Sequence, residues 1–232
     1  MPSISAVADQ IIGENLPAIF IDTCILLDVI RSIKRKSKDC AAQAIALHGA
    51  ATTAPKQCII VVSHLVRHEW GVNDQELLNE AKRHLIDMED YSRHFHDACG
   101  VFGIGPRFSR ANYAAHELAV KLHGLSRELL DCAIIIDPDN ECSGRAMSRV
   151  IHNVPPSQKG REAKDCTILE EYLAVSRRIH DAGFQKRRVF CTSNTNDYCG
   201  PTGLHANLAA EFAPINLRFT STLGWGFHDV TH

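Results

Sequence analysis

Four short apolar runs, at residues 18–21, 58–62, 189–192 and 215–219, constrain this chain more than any other feature. Each is nearly continuous rather than alternating, the signature of strands buried on both faces of a parallel sheet. Between them lie helical patterns at about 24–33, 74–98, 110–130 and 165–182, the last with Ile168, Leu169, Tyr172, Leu173 and Ile179 on one face and Gly183 as its stop. Alternating strand and helix predicts an α/β fold, a three-layer sandwich around a mainly parallel sheet of four or five strands. The interval 74–150 reads as a helical insertion within a single domain spanning 1–232. One run inside it, 133–136, is ambiguous between a strand and the buried end of a helix.

The chain has 232 residues, enough to bury a sizeable core, and no apolar run approaches the roughly 18 residues of a membrane span. Its N-terminal MPSISAVADQ lacks the basic start and apolar stretch of a signal peptide, so a soluble, cytoplasmic protein is expected. Nine cysteines are an odd number with no C-x-x-C pair, which favours reduced thiols over a disulfide or zinc framework. The net charge of −2 gives no global attraction to nucleic acid.

In such a sheet the functional crevice lies at the carboxyl ends of the strands. There the chain places Asp22 in FIDTC, Glu69 in SHLVRHEW, Asp165 in REAKDCTILEEYL and Asp197 in VFCTSNTNDY. Each has an ordinary explanation: Asp22 and Asp165 suit helix N-caps, Glu69 a solvated helix face, Asp197 an Asx-turn. Their joint position is harder to dismiss. Two carboxylates about 5 Å apart repel by roughly 3 kcal/mol at an effective dielectric near 20, a penalty that a divalent cation removes. Hard oxygen donors without a thiol or histidine pattern favour Mg²⁺ or Mn²⁺ over zinc.

In these residues the chain resembles the PIN-domain nucleases, and its C-terminal half looks most like the larger bacterial PIN-like branch. The likeness is carried by IFIDTCILLDVI (19–30), VVSHLVRHEW (61–70), PPSQKGREAKDCTILEEYL (155–173) and VFCTSNTNDY (189–198), and it covers 17–70 and 150–223. The resemblance implies an acidic quartet of Asp22, Glu69, Asp165 and Asp197 that is both catalytic and metal-binding, with Mg²⁺ or Mn²⁺ as cofactor. It implies endoribonuclease activity by phosphodiester hydrolysis, Glu69 helping to orient the attacking water. The partners it implies are an RNA substrate, an antitoxin or other regulatory protein as in toxin members of the family, and a second copy of the chain.

Thr192, Ser193 and Asn194 are placed to orient the loop or its carboxylates, or simply to turn the chain. Lys159, Arg161 and Lys164, which lead into Asp165, are the candidate substrate contacts. The basic stretches RSIKRKSK (31–38) and 186–188 suit solvated faces better. His64 and His68 stand four apart next to Glu69, but the pattern is not H-E-x-x-H, and helix-surface histidines are the simpler reading. A catalytically silent module that binds RNA or protein remains the alternative.

Overall fold

In a computed structural model, the structure describes residues 2–35, 37, 39–105, 112–157 and 162–232. The apolar runs form strands β1 (Ala18–Ile21), β2 (Ile59–Ser63), β3 (Ile134–Ile136) and β4 (Arg188–Cys191), followed by a short antiparallel pair, β5 (Cys199–Gly200) and β6 (Gly203–Leu204), and then β7 (Leu217–Thr220). β3, β2, β1, β4 and β7 lie side by side in that order, every pairing parallel. β1 and β4 are buried at every position, as the apolar runs Ala18–Ile21 and Val189–Cys191 require, with Arg188 buried at the start of β4.

Helices cover both faces. One carries α1 (Ile4–Glu14), α6 (Asn140–His152) and α7 (Ala163–Asp181), with α9 (Ala206–Phe212) beside them. The other carries α2 (Thr23–Ile30), α3 (Cys40–Thr52), α4 (His64–Val101), α5 (Leu118–Asp131) and α10 (Leu223–Thr231). The remaining helix, α8 (Thr195–Tyr198), is a single turn after β4. Helix starts follow their capping residues. Ser63 accepts from the Leu65 amide at 3.1 Å to open α4, and Asp139 accepts from the Cys142 amide at 2.8 Å to open α6.

The ambiguous run resolves as a strand: Val61, Val62 and Ser63 pair with Ile134, Ile135 and Ile136. Among its described residues the 74–150 interval carries the end of α4, then α5 and most of α6, and between these helices it returns to supply the sheet's edge with β3. The expected helix at 110–130 begins at Leu118, after a 3₁₀ turn at Ala114–His116, and residues 106–111 lie outside the described set. The last strand starts at Leu217, because Ala213–Ile215 winds into a 3₁₀ turn that Asn216 ends in the left-handed region at φ 51°. Among the described residues no helix is long and apolar enough to cross a membrane.

An aromatic column sets the site's platform. Phe20 and Phe190, on neighbouring strands, pack against Tyr172 with ring centres 5.1 and 5.5 Å apart, and Phe190 also meets Tyr198 at 5.2 Å. The buried Tyr172 hydroxyl donates to the Ile21 carbonyl at 2.7 Å and accepts from the Ser63 amide at 3.0 Å. This clamps the carboxyl ends of β1 and β2 at the points where Asp22 and α4 leave the sheet.

Candidate functional site

The chain runs from β1 to β2 on one side, and β4 lies on the other side of β1, so the β1/β4 boundary is where strand order reverses. Asp22 leaves β1 at that boundary, its amide donating to the Cys191 carbonyl of β4 at 3.0 Å. It is the N-cap of α2 and 3% exposed. Its Oδ1 accepts from the Thr23 amide at 2.7 Å, and its Oδ2 accepts from the Thr192 hydroxyl at 2.6 Å and the Cys24 thiol at 3.4 Å. Burial outweighs these bonds and holds the carboxyl above the usual carboxylate range. The capping role and the placement at the crevice thus coexist in one residue.

Glu69 projects from the first turns of α4. Thr23, the next residue after Asp22, donates its hydroxyl to Glu69 Oε2 at 2.8 Å, and the Lys164 ammonium stands 3.3 Å from Oε1. Asp165 lies in the first turn of α7, where the N-cap is Glu162 rather than Asp165 itself. Its carboxyl is pushed up to about 7, chiefly by burial and then by the negative charges of Asp22, Glu69, Asp197 and Glu162. Four chain segments therefore converge on one electrostatic field. Asp197 sits on α8 and accepts from Asn194 Nδ2 at 2.7 Å, while the Tyr198 hydroxyl donates to the Asp165 backbone carbonyl at 3.3 Å, joining the β4 loop to α7.

The polar loop after β4 divides its work. Thr192 holds Asp22, and Asn194 holds Asp197. Ser193 instead donates to Asp28 Oδ2 at 2.6 Å, and Asp28 also pairs with Arg35. The Ser193 amide donates to Cys24 Sγ at 3.0 Å, so the thiol is threaded between the two loops. Burial, with the charge of Asp22 adding to it, pushes the Cys24 thiol up to about 12, which keeps it uncharged. All nine cysteines are free thiols, five of them buried.

Among the described residues no three carboxylate, imidazole or thiol groups stand close enough to hold an ion between them as they are. The quartet shares a field without forming a finished cage. Lys164 pairs with Glu69, whereas Lys159 and Arg161 lie outside the described residues. His64 is turned away from the quartet toward Glu171, with Nδ1 3.1 Å from Oε1.

Sequence reasoning missed Thr23, Cys24, Glu162, Tyr172 and Glu171. Thr23 and Cys24 adjoin Asp22 in FIDTC, and their polarity immediately after a buried strand was the available signal. Tyr172 read as one more apolar face residue, since nothing local shows its hydroxyl reaching two strands. No protein-family model, curated protein or solved structure matches the chain, so its likeness to the PIN-domain nucleases rests on these residues themselves.

Proposed function

We propose that the protein is an endoribonuclease that hydrolyses RNA phosphodiester bonds with the help of Mg²⁺ or Mn²⁺. The observation that supports this is the convergence of four carboxylates from distant parts of the chain: Thr23 joins the Asp22 loop to Glu69, Tyr198 joins the Asp197 turn to Asp165, and Asp165 is raised by burial and then by the charges of the other three. Such convergence is costly without a cation, and functional sites are where such costs concentrate.

The donor set fits the ion in kind. Asp22, Glu69, Asp165 and Asp197 offer hard oxygens that suit Mg²⁺ or Mn²⁺, and they would hold it. Once bound, the ion supplies Lewis-acid stabilisation of charge on the reacting phosphate. The chain's own residues orient the donors: Thr192 fixes Asp22, Thr23 fixes Glu69, and Asn194 fixes Asp197. Lys164 keeps an ammonium at the rim, where it meets a phosphate oxygen of the strand.

One contact favours the silent alternative: Lys164 already neutralises part of Glu69. Incubating end-labelled RNA with the protein and Mn²⁺ or Mg²⁺ separates the two readings. We expect metal-dependent cleavage leaving 5′-phosphate and 3′-hydroxyl ends. Asp22→Asn together with Asp197→Asn should lower the rate by more than the roughly 10- to 100-fold typical of residues that only orient a ligand. Cleavage that survives the double substitution, or that needs no metal, rules this assignment out.

A further inference from the structure

The carboxyl edge of the sheet carries a second feature that the quartet does not use. Where β7 ends, Thr222 caps α10, its hydroxyl accepting from the Trp225 amide at 3.4 Å. This fixes the backbone of Trp225 in the helix's first turn, yet its indole is 67% exposed. An exposed tryptophan forfeits the burial that usually stabilises so large an apolar ring. The His228 ring meets the indole edge to face, with centres 5.9 Å apart at 84°.

Beside the indole lies an open groove of about 550 Å³ between α10 and the start of α3, lined by Ser37, Asp39, Gln43, Thr222, Gly224, Trp225 and His228. That size is within the roughly 300–1,000 Å³ of small-ligand clefts. The Gln43 amide lies directly on the helix backbone at Gly224, where a Cβ would come within 2.4 Å of Nε2 and push that side chain aside. Asp39 is the N-cap residue of α3 but makes no capping hydrogen bond. The groove thus joins one flat apolar ring with an amide, a carboxylate and hydroxyls, the groups that read the polar edge of a heterocycle.

Its surroundings point to a charged polymer rather than a small molecule. The described basic residues Arg31, Lys34 and Arg35 precede Ser37 and Asp39 of the groove wall in sequence. Arg35 pairs with Asp28, Asp28 with Ser193, and Ser193 follows Thr192, the residue that holds Asp22. The groove and the quartet are therefore joined along a single edge.

We propose that this groove is a base-stacking subsite, in which Trp225 receives an unpaired nucleobase of a single strand whose phosphates pass Arg31, Lys34 and Arg35 toward the carboxylates. This rests on the nuclease reading for its substrate class, but its test does not depend on cleavage. Stacking needs only the exposed ring face and tolerates every base, so it selects single strands over duplexes.

The chain has two tryptophans, and Trp70 is 4% exposed with its Nε1 donating to Ser126 at 2.9 Å, so indole fluorescence reports ligands through Trp225. Wild-type protein with a chelator present would be titrated with an RNA oligonucleotide, single-stranded or annealed to its complement. We expect saturable quenching by the single strand and much less by the duplex. Affinity for the single strand, read by anisotropy of a labelled strand, should fall roughly tenfold in Trp225→Ala and recover in Trp225→Phe. Binding without quenching, equal quenching by duplex, or an unchanged affinity in Trp225→Ala overturns the subsite, even if the RNA is cut when metal is restored. Selective quenching in a protein that cuts nothing with metal leaves the subsite standing and removes the nuclease reading.

Discussion

Glu171 is fully buried on α7; the nearby Ser63 side chain only partly offsets its burial, and neither carboxylate oxygen makes a well-aligned hydrogen bond. His64 Nδ1 comes within 3.1 Å of it but lacks hydrogen-bond alignment, so proximity alone does not make this an ion pair. Burial governs both groups, lifting Glu171 to about 7 and lowering His64, so it favours the uncharged form of each side chain. The folded carboxyl keeps its proton up to about 7, whereas the unfolded one loses it near 4.5. The folded state therefore binds more protons across that window, and Glu171 makes stability fall as pH rises through it. His64, held low, acts with the opposite sign, and Asp165 with the same sign as Glu171. Comparing wild type with Glu171→Gln isolates one group among these. The two should unfold at similar denaturant concentrations near pH 4.5, with the variant gaining about 3 kcal/mol relative to wild type by pH 8. A difference that does not vary with pH would show that folding leaves the acidity of Glu171 unchanged.

At the scale of elements, α10 reaches the sheet through Gly226. A Cβ there would lie 2.9 Å from Ile19 Cδ1, 3.4 Å from Cys191 Sγ and 3.4 Å from Thr220 Cγ2, so the helix rests on β1, β4 and β7 at a point where only hydrogen fits. Gly144, in the middle of α6, has nothing within 4 Å of its would-be Cβ and is exposed. The same residue type thus serves different ends. Gly226→Val forces added methyls into packed neighbours and should cost about 1–3 kcal/mol, whereas Gly144→Ala should add about 0.5–1 kcal/mol through helix propensity alone. Thermal unfolding of the two variants checks both signs, and an unchanged Tm for Gly226→Val would mean that α10 can shift off the sheet. Legibility in the sequence follows the same division. α7 declared itself because Ile168, Leu169, Tyr172 and Ile179 form one stripe, whereas α3, CAAQAIALHGAAT, is built from small residues that give almost no stripe and went unread. β3 was ambiguous because a run as short as Ile134–Ile136 becomes a strand only through pairing with β2.

For the whole molecule, the parallel order β3-β2-β1-β4-β7 explains how residues as far apart as Asp22 and Asp197 come to one edge. The strand ends were legible because buried parallel strands are written as apolar runs, and a polar residue after such a run marks the carboxyl edge. The links between those ends were not legible. Ser193 was expected to serve the quartet's loop but reaches Asp28, and Thr23 joins Asp22's loop to Glu69 through a contact that no local pattern encodes. Because the four carboxylates come from segments joined only by the fold, an ion they hold together binds the folded chain and not the unfolded one. Binding of that kind stabilises by mass action, about 2.7 kcal/mol when the free ion is at 100 times its Kd. Raising Mn²⁺ against a chelated reference should therefore raise Tm progressively. The gain should shrink as pH falls below about 7, where Asp165 takes up a proton that competes with the ion. In Asp22→Asn with Asp197→Asn the dependence on Mn²⁺ should disappear while the chelated variant stays folded, its Tm raised by relief of repulsion around Asp165. A wild-type Tm indifferent to Mn²⁺ at pH 8 would mean that the quartet holds no ion, and Lys164 would then be the counter-charge that Glu69 keeps.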